Sequence, residues 1–493
     1  LPGPVMDILT VTPEFIPFSR VGGLADVTYH LARSLSERGH RVRIVTPKYR
    51  WTELAGYPLT PISDEIIIPL SRQEKSAKFY SARIESGIEV MFVACDEFFS
   101  RAGIYGNEYG DYEDNGDRFI FFSRAVLELI RHLGLAPDII HCHEWQTGLV
   151  PAYAKTLYKD LETLSDTAIL FTFHNLGTQG IFLHYDFSST GLDWELFTPE
   201  YIESEGKLNL AKAGLIFADF ISTVSQKYAS EVLTPEFGFG LEEVLKKRRK
   251  DTFSILNGVD YQVWDPASDK YIAANFSPNN LRPKAQCREE LARLFKLPLD
   301  DRPITAIISR LVDRKGLDII TVAMDRLATL DMKLVILGSG DDKYHIVLDG
   351  LAKAYPDRLG LKLTYERSLA HKVMAGADIF LMPSRYEPCG LEQLYGLKYG
   401  TVPVVRSTGG LEDTIIDFFQ DPEAGTGFKF SDYSPDALFE VMRQVVALFK
   451  DQAAWKGLML RGMDQDYSWA KATRKYEELY RRAIEKVGNS HVA

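Results

Sequence analysis

Ile379-Phe380-Leu381-Met382-Pro383-Ser384-Arg385-Tyr386-Glu387-Pro388-Cys389-Gly390-Leu391 is the stretch from which the fold of this chain can be read. Its first four residues are continuously apolar, as in a strand buried on both faces of a parallel sheet. Beyond it, Leu391, Leu394, Tyr395 and Leu397 recur at near-helical spacing. The polar residues between are therefore a strand-to-helix crossing. In an open α/β sheet, crossings at strand C-terminal ends hold ligands. Pro388 suits the turn before a helix, and Gly390 lets the backbone approach a ligand closely. Free N–H groups at a helix start attract oxygen atoms. Glu387 is thus expected beside a bank of donors, where a carboxylate repels phosphate but binds sugar hydroxyls. Taken alone, it fits a surface acid on a tight turn slightly better, and its companions along the chain shift the balance.

Outward from this crossing, the second half of the chain repeats the pattern. Ile304 to Ile308 reads as a strand, followed by Ser309-Arg310-Leu311 and, after a short turn, Lys315-Gly316. A helix over Leu317 to Leu330 and strands over Leu334 to Leu337, Lys362 to Tyr365 and Val402 to Val405 complete an α/β series. Arg310 and Lys315 flank a turn at a strand C-terminal end, where two cations suit a diphosphate; a solvated basic loop is the bland alternative.

The first half opens the same way. Asp7 to Val11 is a strand, Gly22-Gly23 opens a helix carrying Leu24, Val27, Leu31 and Leu35, and Arg41 to Val45 is the next strand. Paired glycines at a βαβ turn let a diphosphate reach the amides, with Arg20 adding charge. Glu65 to Leu70, Lys78 to Ile84 and Ile88 to Val93 break the pattern and read as an antiparallel excursion turning at Ser86-Gly87. Gly103 to Asp117 is too polar for core and reads as a loop beside a cleft. Three further strands end in polar residues, at Cys142-His143-Glu144, His174-Asn175 and Ser225, forming one rim. His141 and His143 read as hydrogen-bonded histidines rather than metal ligands, because no third ligand stands at a convincing spacing. Gly-Gly-Leu-x-Asp occurs once per half, at Gly22 and Gly409. One such pair in each domain would grip a ligand from both sides.

With 493 residues, two or more domains are expected. A net charge of -11 argues against nucleic acid or a polybasic membrane surface. No apolar run approaches the length of a membrane span. Four scattered cysteines, Cys95, Cys142, Cys287 and Cys389, fit a reducing compartment without disulfides. Leu1 to Val5 read as an expression remnant before Met6. The chain is therefore expected to carry no leader and to be cytoplasmic. Residues 6–262 are expected to form one Rossmann-like domain and 263–467 a second, with a final helix over 468–493 returning to the first.

Taken together, Arg20-Val21-Gly22-Gly23-Leu24-Ala25-Asp26, His174-Asn175-Leu176, Asn257-Gly258-Val259-Asp260, Ser309-Arg310-Leu311 with Lys315-Gly316, Glu387-Pro388-Cys389-Gly390-Leu391 and Ser407-Thr408-Gly409-Gly410-Leu411 resemble the bacterial glycogen synthases and plant starch synthases. The match runs in order from Met6 to the last helix. The resemblance implies a GT-B fold, two doubly wound domains facing across a deep cleft. It implies transfer of glucose from ADP-glucose, or UDP-glucose, to the non-reducing end of an α-1,4-glucan. Configuration would be retained, with no metal or cofactor, in the cytoplasm or in a plastid stroma.

By the same resemblance, Arg310 and Lys315 bind the diphosphate, Glu387 holds glucose hydroxyls and His174 lies by the sugar. Donor contacts fall to Arg20, Gly22, Gly23, Asp26, Asn257, Tyr365 (stacked on the base), Cys389, Gly390, Leu391, Thr408, Gly409 and Gly410. Acceptor contacts fall to Glu144, Tyr105 and Asn115. Three positions depart from the family pattern: Arg20 replaces Lys, Glu144 replaces Asp, and Glu392 replaces a small polar residue. These departures motivate one other reading, a weakly active or inactive glucan-binding scaffold; a GT-B transferase making a small glucoside is the other alternative.

Overall fold

The computed structural model describes residues 4–70, 74–84 and 86–490. Leu1 to Gly3, within the stretch read as a remnant, and residues 491–493, the end of the stretch expected to be helical over 468–493, lie outside the described residues. The chain forms two compact units. One takes in the chain up to 224, 229–258 and everything from 469; the other takes in 225–228 and 259–468.

In the first unit, seven strands run parallel in the order Thr252–Ser254, Phe220–Thr223, Ala168–Thr172, Ile139–His143, Asp7–Val11, Arg41–Pro47 and Glu89–Ala94. Asp7–Val11, Ile139–His143 and Ala168–Thr172 are almost wholly buried, so they can be apolar without alternation. The excursion joins this same sheet. Glu74–Arg83 pairs antiparallel with Glu89–Ala94, and Ile66–Pro69 adds antiparallel to Glu74–Arg83. The chain leaves Asp7–Val11 for Arg41–Pro47 on one side and later returns to Ile139–His143 on the other. The strand order therefore reverses between Asp7–Val11 and Ile139–His143, and in doubly wound sheets ligands bind outside the C-terminal ends at such a switch point. The last helix, Trp469–Ser490, buries Trp469, Ala472, Tyr476, Leu479, Tyr480 and Ala483 in the same core as Val27, Leu31 and Leu35. Its Glu477 carboxylate accepts from Arg38 at 2.6 Å and contacts His40 at 2.9 Å.

In the second unit, six parallel strands run Leu359–Lys362, Lys333–Leu337, Ile304–Ile308, Ile379–Met382, Val402–Arg406, Phe428–Phe430. Here the order reverses between Ile304–Ile308 and Ile379–Met382, so the turns after these two strands stand side by side at the switch point. The strand expected over Lys362 to Tyr365 lies instead at Leu359–Lys362. Leu359 and Gly360 face the core, and Tyr365 is left 57% exposed before the helix Arg367–Gly376. A ring stack braces this unit. Trp264 lies between His371, at 3.8 Å and 7°, and Tyr395, at 4.0 Å and 4°.

Candidate active site

At the switch point of the second unit, the crossing quoted above meets the turn after Ile304–Ile308. Glu387 is buried, and its carboxylate accepts from Lys315 Nζ and, at 3.2 Å, from Ser384 Oγ. Burial pushes the Glu387 pKa up, but the charges of Lys315 and Arg314 and the hydrogen bonds from Lys315 and Ser384 outweigh it. The group ends below the ordinary carboxylate value. The acid is therefore ionised and already neutralised by a cation. Arg310 is exposed on the same turn. Partial desolvation and then the nearby Arg314 lower its guanidinium pKa, against the pull of Glu387 and Glu392. Glu392, the acid departure beside this turn, folds back, accepting at 3.2 Å from the N–H of Leu391 at the start of its own helix.

Glycines decide how tightly the turns approach. Gly316 has φ +81, and a Cβ there would meet Pro383 O at 2.2 Å, so only glycine docks the Lys315 turn on the Glu387 strand. The two glycine pairs, each expected to grip a ligand, differ in their surroundings. Gly409 and Gly410 are buried under the crossing, where a Cβ on either would meet Glu387 O or Cys389 O at 2.0 Å. The Gly410 N–H is already shared by the carbonyls of Glu387 and Pro388, each at 3.1 Å. This pair supports Glu387 from behind. Thr408 is buried beside it, Gly390 has φ +69, and Leu391 is half-buried. Gln393, which the sequence reading passed over, is fully buried and donates to the carbonyl of Cys389 at 3.0 Å and to that of Gly390 at 3.3 Å.

In the first unit, the switch point is organised by an acid to which the sequence reading gave no role. Glu14 is buried, and its Oε2 accepts from the N–H groups of Val21, at 2.6 Å, and Gly22, at 3.1 Å. Its Oε1 accepts from Tyr105 Oη at 2.7 Å. The Gly22 amide expected to meet a diphosphate is thus occupied, while Cβ positions on Gly22 and Gly23 face open space. Arg20 and Asp26 pair at 3.0 Å. Asn115 is also committed internally: it donates to Tyr105 O at 2.8 Å and accepts from the buried Arg118 at 2.6 Å. It holds the Tyr105 loop rather than pointing outward. Asn257, at the end of the first unit's sheet, is buried.

Glu144 follows the strand Ile139–His143 with φ 66, and its Oε1 accepts from the N–H groups of His174, at 2.7 Å, and Asn175, at 3.1 Å. Burial, opposed by these two amides and reinforced by Glu14, raises its pKa to about 7. It is thus the anchor of the His174 loop. His174 is largely buried, and its surroundings lower its pKa to about 4. Its Nε2 lies 3.1 Å from Nδ1 of His143. Buried His141 contacts Tyr480 Oη at 2.8 Å and Thr172 Oγ1 at 2.7 Å. Among the described residues, no group of three His, Cys, Asp or Glu side chains is placed to hold a metal.

Two doubly wound units, each with charged side chains collected at its switch point, define the GT-B class of glycosyltransferases. Sucrose-phosphate synthase from Thermosynechococcus elongatus shares this fold, with a TM-score of 0.60 at 19% identity over 97% of this chain and 99% of that one. Residues 7–247 match the starch synthase catalytic domain, and 291–456 match the glycosyl transferases of group 1. A glycogen synthase from Koribacter versatilis is 45% identical over 97% of this chain and 98% of its own length. One from Geotalea daltonii is 43% identical over 98% and 100%. The catalytic domain of starch synthase IV from Arabidopsis thaliana, bound to ADP and acarbose, superposes with a TM-score of 0.89 at 33% identity, covering 98% of this chain and all of that one. The chain belongs to the glycogen and starch synthase family.

Proposed function

We propose that this protein transfers glucose from ADP-glucose to the non-reducing end of an α-1,4-glucan with retention of configuration. The observation that carries the reading is the Lys315–Glu387 pair at the switch point of the second unit, with Arg310 on the same turn. In this reading the second unit serves the nucleotide sugar and the first serves the glucan. Arg310 and Lys315 hold the diphosphate, Glu387 holds glucose hydroxyls, and Tyr365 offers an exposed ring for the base. His174 serves the sugar, and Arg20, Asp26 and Tyr105 line the loops of the first unit.

The bond from the sugar's anomeric carbon to the phosphate oxygen breaks through an oxocarbenium-like state. The acceptor hydroxyl bonds to that carbon from the face the diphosphate leaves, and its proton passes to the departing phosphate oxygen. Tyr395, stacked on Trp264, supplies no second carboxylate for a double displacement. Catalysis is then mainly electrostatic, by positive charge placed where negative charge develops. Among the described residues no helix is long and apolar enough to cross a membrane, and the four free cysteines suit a cytoplasmic location.

The test is incorporation of labelled glucose into glycogen from ADP-glucose and, in parallel, UDP-glucose, with free sugars as competing acceptors. Label in glycogen from ADP-glucose is the expected result. Glucan binding without incorporation from either donor would overturn the reading.

A further inference from the structure

His141 and His143, which stand on one strand and hold no metal in this reading, lead to the active-site loop. The His143 ring lies 3.9 Å from that of His141 and 5.4 Å, at 21°, from that of His174. His143 is fully buried. Its Nδ1 faces His174 Nε2 at 3.1 Å, and its own Nε2 has no hydrogen-bond partner among the described residues.

Burial disfavours the imidazolium form of both rings, so a single proton lies between Nδ1 of His143 and Nε2 of His174. It has two possible owners. On His174, it would leave the second proton of the pair on His143 Nε2, an N–H buried with nothing to receive it. On His143, it leaves Nε2 a bare acceptor. Orphaned buried N–H groups are rarer and costlier than under-used acceptors. The second arrangement therefore wins, and the hydrogen bond made by one ring nitrogen decides which other nitrogen carries a proton.

We infer that His143 is a positioning residue that fixes the tautomer of His174, so that His174 presents Nδ1–H as a donor to a hydroxyl oxygen of the bound sugar. The assignment of His174 to the sugar rests on the proposed function; the tautomer does not. Glu144 holds the main chain of the same loop, so ring and backbone are fixed from two directions.

The experiment is long-range proton–nitrogen NMR on the full chain labelled with nitrogen-15 histidine, at pH 7.5, with His174 assigned through His174→Gln. The expected spectrum shows a protonated Nδ1 and a bare Nε2 on His174. His143→Asn, which keeps a donor, retains that pattern. His143→Leu, which offers no donor to His174 Nε2, removes the bias, so that the Nε2-protonated form of His174 becomes populated, and it lowers kcat while donor KM holds. A protonated Nε2 on His174 in the unaltered protein overturns the inference, even if glucose incorporation proceeds. Failed incorporation with a protonated Nδ1 faults the functional reading and leaves the tautomer standing.

Discussion

Lys315 directs its ammonium group at the carboxylate of Glu387, and the two side chains are only 13% and 9% exposed. A pair this enclosed has a simple energetic signature. Removing one partner leaves a buried charge, at a cost of about 3–5 kcal/mol, whereas removing both costs much less. Lys315→Ala is therefore expected to melt well below the parent, and Lys315→Ala with Glu387→Gln to recover most of that loss while staying inactive. Chemical denaturation measures both. Because the Glu387 pKa is depressed, the stabilisation it provides is complete above the ordinary carboxylate value of 4.5 and is lost as pH falls through its folded value. An equal melt for Lys315→Ala and the parent at pH 7.5 would falsify the pairing.

Arg310→Ala should act on chemistry rather than on folding. The side chain is exposed, so the melting temperature should hold. Loss of one preorganised cation should lower kcat by about 10²–10³-fold. Glucan affinity, measured by equilibrium binding, should change little. Turnover within a few-fold of the parent would count against electrostatic stabilisation of the diphosphate.

Glu144 makes a prediction with the opposite pH sign. Its folded pKa, about 7, lies above the ordinary 4.5, so the folded state binds a proton that the unfolded state releases. Stability from this group falls as pH rises from 4.5 to about 7 and is flat beyond, a change on the order of 3 kcal/mol. Glu144→Gln keeps an acceptor for the amides of His174 and Asn175 but cannot ionise. Its advantage in stability over the parent should therefore grow from pH 4.5 to about 7 and hold constant above that. Parallel stability curves for the two proteins would refute the assignment.

The two glycine pairs should part company under substitution. Gly23→Ala points a methyl into open space, so the fold should be unaffected and any loss should appear in donor affinity. Gly410→Ala drives a methyl to 2.0 Å from Cys389 O, a backbone atom that cannot swing aside. Overpacking of this kind costs about 1–3 kcal/mol or more, and it displaces the crossing that carries Glu387. Thermal melts and initial rates on both variants separate the cases.

Tyr395 should matter through its ring. Tyr395→Phe keeps the ring stacked on Trp264 and Tyr395→Ala removes it, so the Ala variant should be less stable than the Phe variant by at least the ~0.5–1.5 kcal/mol that a stacked aromatic pair adds. A large rate loss in the Phe variant at unchanged stability would assign chemistry to the hydroxyl.

Apolar runs such as Ile304 to Ile308 and Ile379 to Met382 announce buried parallel strands without any tertiary knowledge, because a strand covered on both faces has no reason to alternate. The polar turns after them are legible too, because glycine and charge stand together where each apolar run ends. The helices Asp342–Ala354 and Arg367–Gly376 went unread. The first has exposed Ile346 and Val347, which blur its apolar stripe.

Pattern and motif along the chain were enough to set the α/β class, the strand ends that carry charge and the family. Partners were not. Glu14 serving Val21, Gly22 and Tyr105, Glu144 serving the His174 loop, Gly410 serving Glu387, and His143 facing His174 all depend on which turns the strand order brings side by side. Periodicity records whether a residue is covered. It holds no information about which distant atom covers it, and hydrogen bonds and pKa shifts are properties of that atom.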